Sequence, residues 1–545
     1  MYLKHALIHK FRNFKDTRVD FNSSDESHSF ALASPNGGGK STLLQIIFIL
    51  LHCYRNPSKH KFISQILENE VIEKEYDLVE FELNIDDVDY SLHFKIIEDN
   101  NDFDFSVYTN REIVALELNE LPKNNQDVLR EIIEIKDLVS KTRRLDSFTA
   151  RRILQSFQKI DLSASIHNKL SNAIDSRDLD EAITILDSLL AHHQSITHRF
   201  LSLSKELKFI DSEIISLESR LKSNNLEYVL SLWDGYSLVV ESSIPNEVAD
   251  KIESHIFLSA PSSQVFTFLN ATEREQILTL NRQDGHMQKD FYTQSVESAK
   301  EELSGFFTFD FTTTELISSS FEKAFLEDKA SKIHNGEYGN NYDKVVTELN
   351  NFLEGKSISQ DVLTGDITFQ IAETKKQLKP EDLSHGELKK LSLYSWIKHI
   401  VPQASVVLID ELDIALHPKW QESILQDLGD WQPTNQYVIA THSPQVLNSI
   451  HYKNLRFLVR ENGNTKIQVK DKAPLDRDTN SMIEAMGSNK IPSRLFDLHD
   501  RYRQLVEIGQ HNSLEGLETR GKILEFESKD SFFLQDIQYD IDDQE

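Results

Sequence analysis

The stretch Ser34-Pro35-Asn36-Gly37-Gly38-Gly39-Lys40-Ser41-Thr42 decides how the rest of the chain is read. Ser29 to Ala33, just before it, reads as a strand, and Thr42 to Cys53, just after it, as a buried helix. Three successive glycines let the backbone curl so that consecutive N–H groups converge on one anion at a helix N-terminus. Lys40 adds a point charge suited to the β- and γ-phosphates of a nucleotide, and the Ser41 hydroxyl suits Mg²⁺. Asn36, Gly37, Gly38, Gly39, Lys40, Ser41 and Thr42 are therefore candidate ATP-binding residues. A phosphate loop usually opens with glycine. Ser34 stands there instead, but the cradle is made by the later glycines. The plain alternative is a glycine-rich turn ahead of a helix, and the Lys-Ser pair between strand and helix argues against it.

Three more segments complete the constellation. Val406-Val407-Leu408-Ile409-Asp410-Glu411 reads as a buried strand ending in two carboxylates, at the edge where open α/β sheets place their ligands. Asp410, with Ser41, fits the metal side, and Glu411 fits the residue that orients or deprotonates a water. Leu383-Ser384-His385-Gly386-Glu387 opens a helix over 388–400, with Ser384 as N-cap and Glu387 at N3, a capping box. Tyr437-Val438-Ile439-Ala440-Thr441-His442-Ser443-Pro444 reads as a strand ending in His442, followed by a Pro-started helix.

In this order the four segments resemble the ABC-type ATPases. Leu383 to Glu387 is similar to the Leu-Ser-Gly-Gly-Gln signature in its SMC-like form, and His442 to the switch histidine that reads the γ-phosphate. Phe11-Arg12-Asn13-Phe14 and Leu416-His417-Pro418 resemble elements of the SMC, RecF and OLD-type members, whose split layout this chain shares. His417 stands where transporter cassettes carry an Asp, so that role is not carried over. The resemblance implies an α/β fold: an ABC-type ATPase head with a split nucleotide-binding domain and an inserted helical coiled-coil arm. It implies ATP and Mg²⁺ as cofactors and head-to-tail dimers, with Ser384 and Gly386 of one subunit capping ATP on the other. Glu411 and His442 are then the catalytic pair, and Ser41 and Asp410 the metal ligands. The family's Q-loop glutamine has two candidates, Gln65 and Gln158.

The expected organisation is an N-terminal lobe (1–110), a helical arm (111–225), a mixed insertion (226–380), a C-terminal lobe (381–475) and a helical extension with a solvated acidic tail (476–545). Val79 to Ile97 reads as a hairpin about an Asp86-Asp87 turn. Val265 to Leu269 reads as a strand. Leu186, Leu189, Ile196, Phe200, Leu203, Leu207, Ile210, Ile214, Leu217 and Leu221 form a heptad seam. Its expected partner is 125–174 folded back against it. The alternative is a long helix buried in a bundle. At ~1.5 Å per residue the seam spans roughly 50 Å, too short for a chromosome-scale SMC arm.

Composition narrows the partners. The 545 residues carry a net charge of −29, which argues against coating nucleic acid over the whole surface. One stretch runs the other way: Lys141, Arg143, Arg144, Arg151, Arg152 and Lys159 face a single acid, Asp146. It reads either as a nucleic-acid contact or as a solvated helix face. A single cysteine, Cys53, excludes an intrachain disulfide and a Cys-type zinc hook. With no signal peptide and no membrane-length apolar run, a cytoplasmic protein without membrane contact is expected.

Leu475 to Gly487 resembles the segment after the switch histidine in PtuA-like ATPases of Septu anti-phage systems, and of retrons with the same gene pair. That resemblance implies an HNH nuclease partner of PtuB type. In a retron it also implies a reverse transcriptase with its multicopy DNA, and assemblies larger than a dimer (tetramer or hexamer). No nuclease pattern of the chain's own is legible. Two other readings are a RecF-like repair ATPase acting directly on DNA, and a scaffold with vestigial motifs, which the intact Lys40, Asp410 and Glu411 oppose.

Overall fold

The computed structural model describes residues 1–22, 28–35, 37–100, 102–120, 179–192, 194–279, 285–308, 313–360, 367–469 and 491–542, with isolated residues at 133, 136, 169, 172–173, 482–483 and 486. The chain divides into two compact units. The first holds Met1–Val71, Tyr76–Phe94 and Ser242–Glu545, and the second Ile72–Glu75 and Lys95–Glu241.

In chain order the strands are β1 (Tyr2–Phe11), β2 (Phe14–Asp20), β3 (Ser29–Ala33), β4 (Tyr76–Ile85), β5 (Val88–Glu98), β6 (Leu226–Ser231), β7 (Tyr236–Ser242) and β8 (Ile256–Ser259). They continue as β9 (Phe306–Phe307), β10 (Lys356–Gln360), β11 (Ile367–Ile371), β12 (Gln377–Leu378), β13 (Val406–Ile409), β14 (Gln436–Ala440), β15 (Leu455–Glu461) and β16 (Asn464–Gln468). The sheet of the first unit runs β5-β4-β1-β2-β16-β15-β3-β14-β13-β8-β9. Its centre is parallel: β15 on β3, β3 on β14, β14 on β13, β13 on β8 and β8 on β9. The register sets Leu408 between Leu258 and Val438. Every residue of β3, β8, β13 and β14 is buried. That is why these strands read as continuous apolar runs and not as alternation. The α/β class expected from the sequence is the class the chain adopts.

The helix Lys40–Cys53 has no polar face, because nearly all of it is buried. The β4–β5 hairpin turns at Asp86 and Asp87, both with positive φ (51° and 64°), the twist a two-residue hairpin turn requires. Val265–Leu269 is not a strand. Ser262–Phe268 is a 3₁₀ helix, and the strand of this region is β8, ten residues earlier than the β-branched and aromatic run suggested.

The acidic C-terminal segment is not a solvated tail. Phe532–Asp542 is a helix, and its Leu534, Ile537 and Ile541 pack with Leu495, Tyr502, Val506 and Ile523 of the two preceding helices. Apolar residues three and four apart outweigh the acids of this segment, of which Asp536 is exposed.

In the second unit the seam helix is Gln194–Ser223, with a separate helix at Leu179–His192 before it. Phe200, Leu203, Ile210, Ile214, Leu217 and Leu221 are buried against Val107, Val114 and Leu118. The partner among the described residues is therefore the helix Ser106–Glu120. The expected partner stretch 125–174 lies almost wholly outside them, as do Lys141, Arg143, Arg144, Arg151, Arg152 and Lys159. No helix of the described residues is long and apolar enough to cross a membrane.

Candidate functional site

Four adjacent parallel strands, β3, β14, β13 and β8, end at the same edge and deliver the polar residues of one cluster. β3 delivers the phosphate loop, β13 delivers Asp410 and Glu411, and β14 delivers His442. β8 delivers a residue the sequence reading missed, Gln264.

The loop is tightly wound. Gly39 caps the helix with φ +97°, and a Cβ there would lie 2.9 Å from the Phe14 ring. A Cβ on Gly38 would lie 2.4 Å from the Ser34 Cβ. Phe14 belongs to the Phe11–Phe14 element, so the β1–β2 turn supports the loop from below. The Thr465 hydroxyl adds a hydrogen bond to the Gly38 carbonyl (3.2 Å). Gly37 is exposed, with φ +76°. Ser41 and Thr42 are half-buried in the first helical turn. Asn36 lies outside the described residues. The Arg12 guanidinium donates to the Ile66 carbonyl (3.5 Å), and its backbone N–H donates to Glu70 (3.0 Å).

Lys40 is buried, and its ammonium donates to the Ser34 hydroxyl (2.9 Å) and to His442 Nε2 (2.8 Å). Burial lowers the lysine pKa, against the pull of Asp410, Asp413 and Glu411. Burial and then the Lys40 charge lower that of His442, so the imidazole is neutral and can accept. Ser34 is thus more than a tolerated departure from glycine, since its hydroxyl holds the lysine.

Asp410 is 1% exposed. Its Oδ2 accepts from Gln264 Nε2, whose Oε1 accepts from Gln45 (3.0 Å). Its Oδ1 is buried without a hydrogen-bond partner among the described residues. An ionised oxygen left so is costly unless a cation completes it. The next residue, Glu411, holds a left-handed φ of +51°, unusual for a non-glycine. Burial raises its carboxyl pKa, and the charges of Asp410 and Asp413 raise it further. Asp413 was also missed: its Oδ1 accepts from the Thr441 hydroxyl (2.5 Å) and the His442 N–H (3.1 Å), tying the two strand ends together. The donor set fits a nucleotide and Mg²⁺: the glycine cradle and Lys40 for phosphates, and Ser41 with the unmatched Asp410 oxygen for the metal.

Of the two glutamines considered from the sequence, Gln65 lies in the helix His60–Leu67, and Gln158 lies outside the described residues. Gln264 had a signal: a four-residue apolar strand, Ile256 to Ser259, followed by Ala-Pro-Ser-Ser-Gln. The stronger β-formers just after it drew the strand assignment away.

Ser384 and Gly386 stand apart from this cluster. Ser384 caps the helix His385–Ser395 in a full capping box with Glu387. Lys356 donates to both Glu387 oxygens (2.8 and 2.7 Å). Burial alone would raise the Glu387 carboxyl, but the bonds from Lys356 and Ser384 outweigh it and the net shift is downward. These residues line a cleft of about 720 Å³ that also takes in His385, His417 and Lys419. Gly386 passes so close to the 410–417 loop that a Cβ would lie 2.7 Å from the Ala415 carbonyl. From the same helix Lys389, 3% exposed, donates to the carbonyls of Glu411 (3.1 Å), Leu412 (2.9 Å) and Ile414 (2.8 Å).

A family model described as "AAA domain, putative AbiEii toxin, Type IV TA system" matches residues 35–448, well over half of the chain. The chain is similar to the retron Vc95 probable ATPase of Vibrio cholerae serotype O1 biovar El Tor, with 30% identity over 20% of this chain and 22% of that protein. It is also similar to the Septu protein PtuA of Bacillus mycoides, with 28% identity over 32% of this chain and 24% of the relative. The matched stretches span about a quarter or less of these relatives. Among solved structures, the SMC head domain from Thermotoga maritima aligns over 87% of this chain and all of that one. Its 10% identity and TM-score of 0.31 carry no argument. The chain belongs to the AAA-domain family whose model covers its phosphate loop, both carboxylates and His442.

Proposed function

We propose that the chain is the ATP-binding and ATP-hydrolysing subunit of an anti-phage defence complex, SMC-like in layout. The observation that carries the ATPase half is the buried Asp410 carboxylate, with Gln264 on one oxygen and nothing on the other, at the strand edge shared with Lys40 and His442. The defence half draws on the retron and Septu relatives.

In this reading Asn36 to Thr42 bind the phosphates, and Lys40 exchanges Ser34 and His442 for phosphate oxygens. Ser41 and Asp410 hold Mg²⁺, which when bound neutralises charge on the phosphates. Glu411 takes a proton from water, and its raised pKa suits a base working near neutrality. His442, freed from Lys40, is placed to donate or accept at the terminal phosphate. Catalysis is then mostly positioning and charge stabilisation. Ser384 and Gly386 cap ATP on a second copy in a head-to-tail pair, from which larger oligomers are built. The nucleotide state gates an HNH nuclease partner of PtuB type, and in a retron setting a reverse transcriptase and its multicopy DNA join the complex.

The test is Glu411→Gln. The variant keeps wild-type ATP affinity, and its steady-state hydrolysis falls at least about 100-fold, the lower end of the range for a lost general base. Hydrolysis at the wild-type rate would sink the role of Glu411. Co-purification with the product of the adjacent reading frame tests the defence half.

A further inference from the structure

At the opposite side of the first unit's sheet from β8 and β9, three neighbouring strands bring together a second set of ligand-type side chains. His9 lies on β1, Asp77 on β4 and His93 on β5, consecutive in the sheet order. One donor atom from each lies within 4.8 Å of the others. His93 Nε2 and Asp77 Oδ1 are 3.1 Å apart, and the two imidazole rings are 5.6 Å apart. Around a tetrahedral ion with bonds of ~2.0–2.1 Å, donors sit roughly 3.3 Å from one another, so small side-chain rotations close the set.

The surroundings of His9 favour a ligand role. Its Nδ1 faces Asp16 Oδ1 at 3.6 Å, and Asp16 is on β2, across the β1–β2 hairpin. That carboxylate lies just beyond hydrogen-bond distance, on the side of the ring where a metal-bound histidine usually has its outer partner. The other ring nitrogen, Nε2, is buried and has no hydrogen bond to the described residues. Two imidazoles beside two carboxylates suit a dication. Two nitrogen donors and a carboxylate select a borderline ion over Mg²⁺ or Ca²⁺, which prefer all-oxygen sites.

We propose that His9, Asp77 and His93 bind one Zn²⁺-class transition-metal ion, with Asp16 orienting His9. Such an ion joins β1, β4 and β5. Two residues beyond His9 the β1–β2 turn begins, and its Phe14 packs under Gly39. The metal therefore braces the hairpin just short of the tip that supports the glycine loop. The alternative is a His–Asp ion pair that needs no metal.

The test uses the full chain, stripped with a chelator and free of nucleotide. Zn²⁺ is titrated calorimetrically into wild type and into an Asp77→Asn/His93→Gln double variant. Asp410 can also take a divalent ion, so the readout is the difference between the two. Wild type is expected to bind one more Zn²⁺ per chain, to gain thermal stability from it, and to give a visible Co²⁺ spectrum that the variant lacks. If the double variant does not fold, Asp77→Asn alone replaces it. That side chain is about half exposed, and its loss is expected to weaken Zn²⁺ binding at least tenfold. Equal stoichiometry and affinity in wild type and folded variant would overturn the site.

Discussion

The two ends of the 410–417 loop are satisfied in opposite ways. At the Asp410 end, charges outnumber partners. One carboxylate oxygen is unmatched, Glu411 has its ionisation opposed by Asp410 and Asp413, and Lys40 sits buried among them. At the Ala415–His417 end, the capping groups have their partners. Ser384 and Glu387 close a capping box, Lys356 neutralises Glu387, and a cleft stands open beside them. A buried charge short of partners becomes less costly when an opposite charge is brought to it. Under the proposed function the first holds its own nucleotide and the second meets another subunit's.

The comparison breaks most sharply at Lys40. Lys40→Ala removes a charge-assisted donor for phosphate oxygens. At about 1.5–3 kcal/mol per such bond, with two bonds expected, nucleotide affinity falls 100-fold or more. Titration with a fluorescent ATP analogue measures it. Circular dichroism and thermal melting check that the variant is folded, because burial disfavours the lysine's charged form but Asp410, Asp413 and Glu411 attract it. Wild-type affinity in this variant would mean that the unmatched corner is not a nucleotide site.

The second break is the tie between the corners. Lys389 donates to three carbonyls of the loop from inside the helix His385–Ser395. Lys389→Met takes that donor from the Leu412 and Ile414 carbonyls, while the Glu411 carbonyl keeps the Ile414 N–H, at a cost of about 2–3 kcal/mol, the range for lost partners of buried polar groups. A denaturant titration reads that loss. ATP affinity should hold, because the phosphate loop is untouched. The hydrolysis rate should fall, because the left-handed Glu411 backbone loses its anchor. A variant as stable and as fast as wild type would show the corners to be independent.

The two corners also differ in how legible they were. Lys40, Asp410, Glu411 and His442 stand at strand ends flanked by apolar runs, and a turn or strand edge with charged residues is readable from pattern alone. The Ser384–Glu387 box was equally local, three residues apart. Asp413 and Lys389 were not legible, and Gln264 had only the apolar strand upstream of it as a signal. Each acts across the fold, Gln264 on a residue 146 positions away and Asp413 on one 28 away, and no local spacing marks them. The last helix misled for a related reason. Its charge was visible in the sequence, but the neighbours that bury Leu534 and Ile537 belong to earlier helices.

A smaller effect separates capping from docking. Ser384→Ala removes the N-cap and should destabilise the protein by about 1 kcal/mol, measured by the same denaturant titration. ATP binding to the isolated chain should be unaffected. Nucleotide-dependent self-association, followed by analytical ultracentrifugation, should weaken. Loss of stability with unchanged association would reduce Ser384 to a cap.

The least of these effects tests whether the crowding of charge at the first corner is electrostatic or merely steric. Asp413→Asn keeps an oxygen to accept from Thr441 and His442 while removing one of the charges that raise the Glu411 pKa. A base works deprotonated, so a raised pKa makes hydrolysis fail at a higher pH as the solution is acidified than an ordinary carboxylate would. Removing a neighbouring negative charge lowers that pKa, and the acid limb of the kcat profile should move to lower pH. His442 shifts the same way. Asp413 raises its pKa against burial and Lys40, so without that charge the imidazole stays neutral further into acid, and the two displacements add. Asp413→Ala, which also loses the two hydrogen bonds, should cost stability as well as moving the limb. An Asn variant whose acid limb stays in place would mean that burial alone sets the ionisation of Glu411, and that the contrast between the corners is one of solvent exclusion, not of charge.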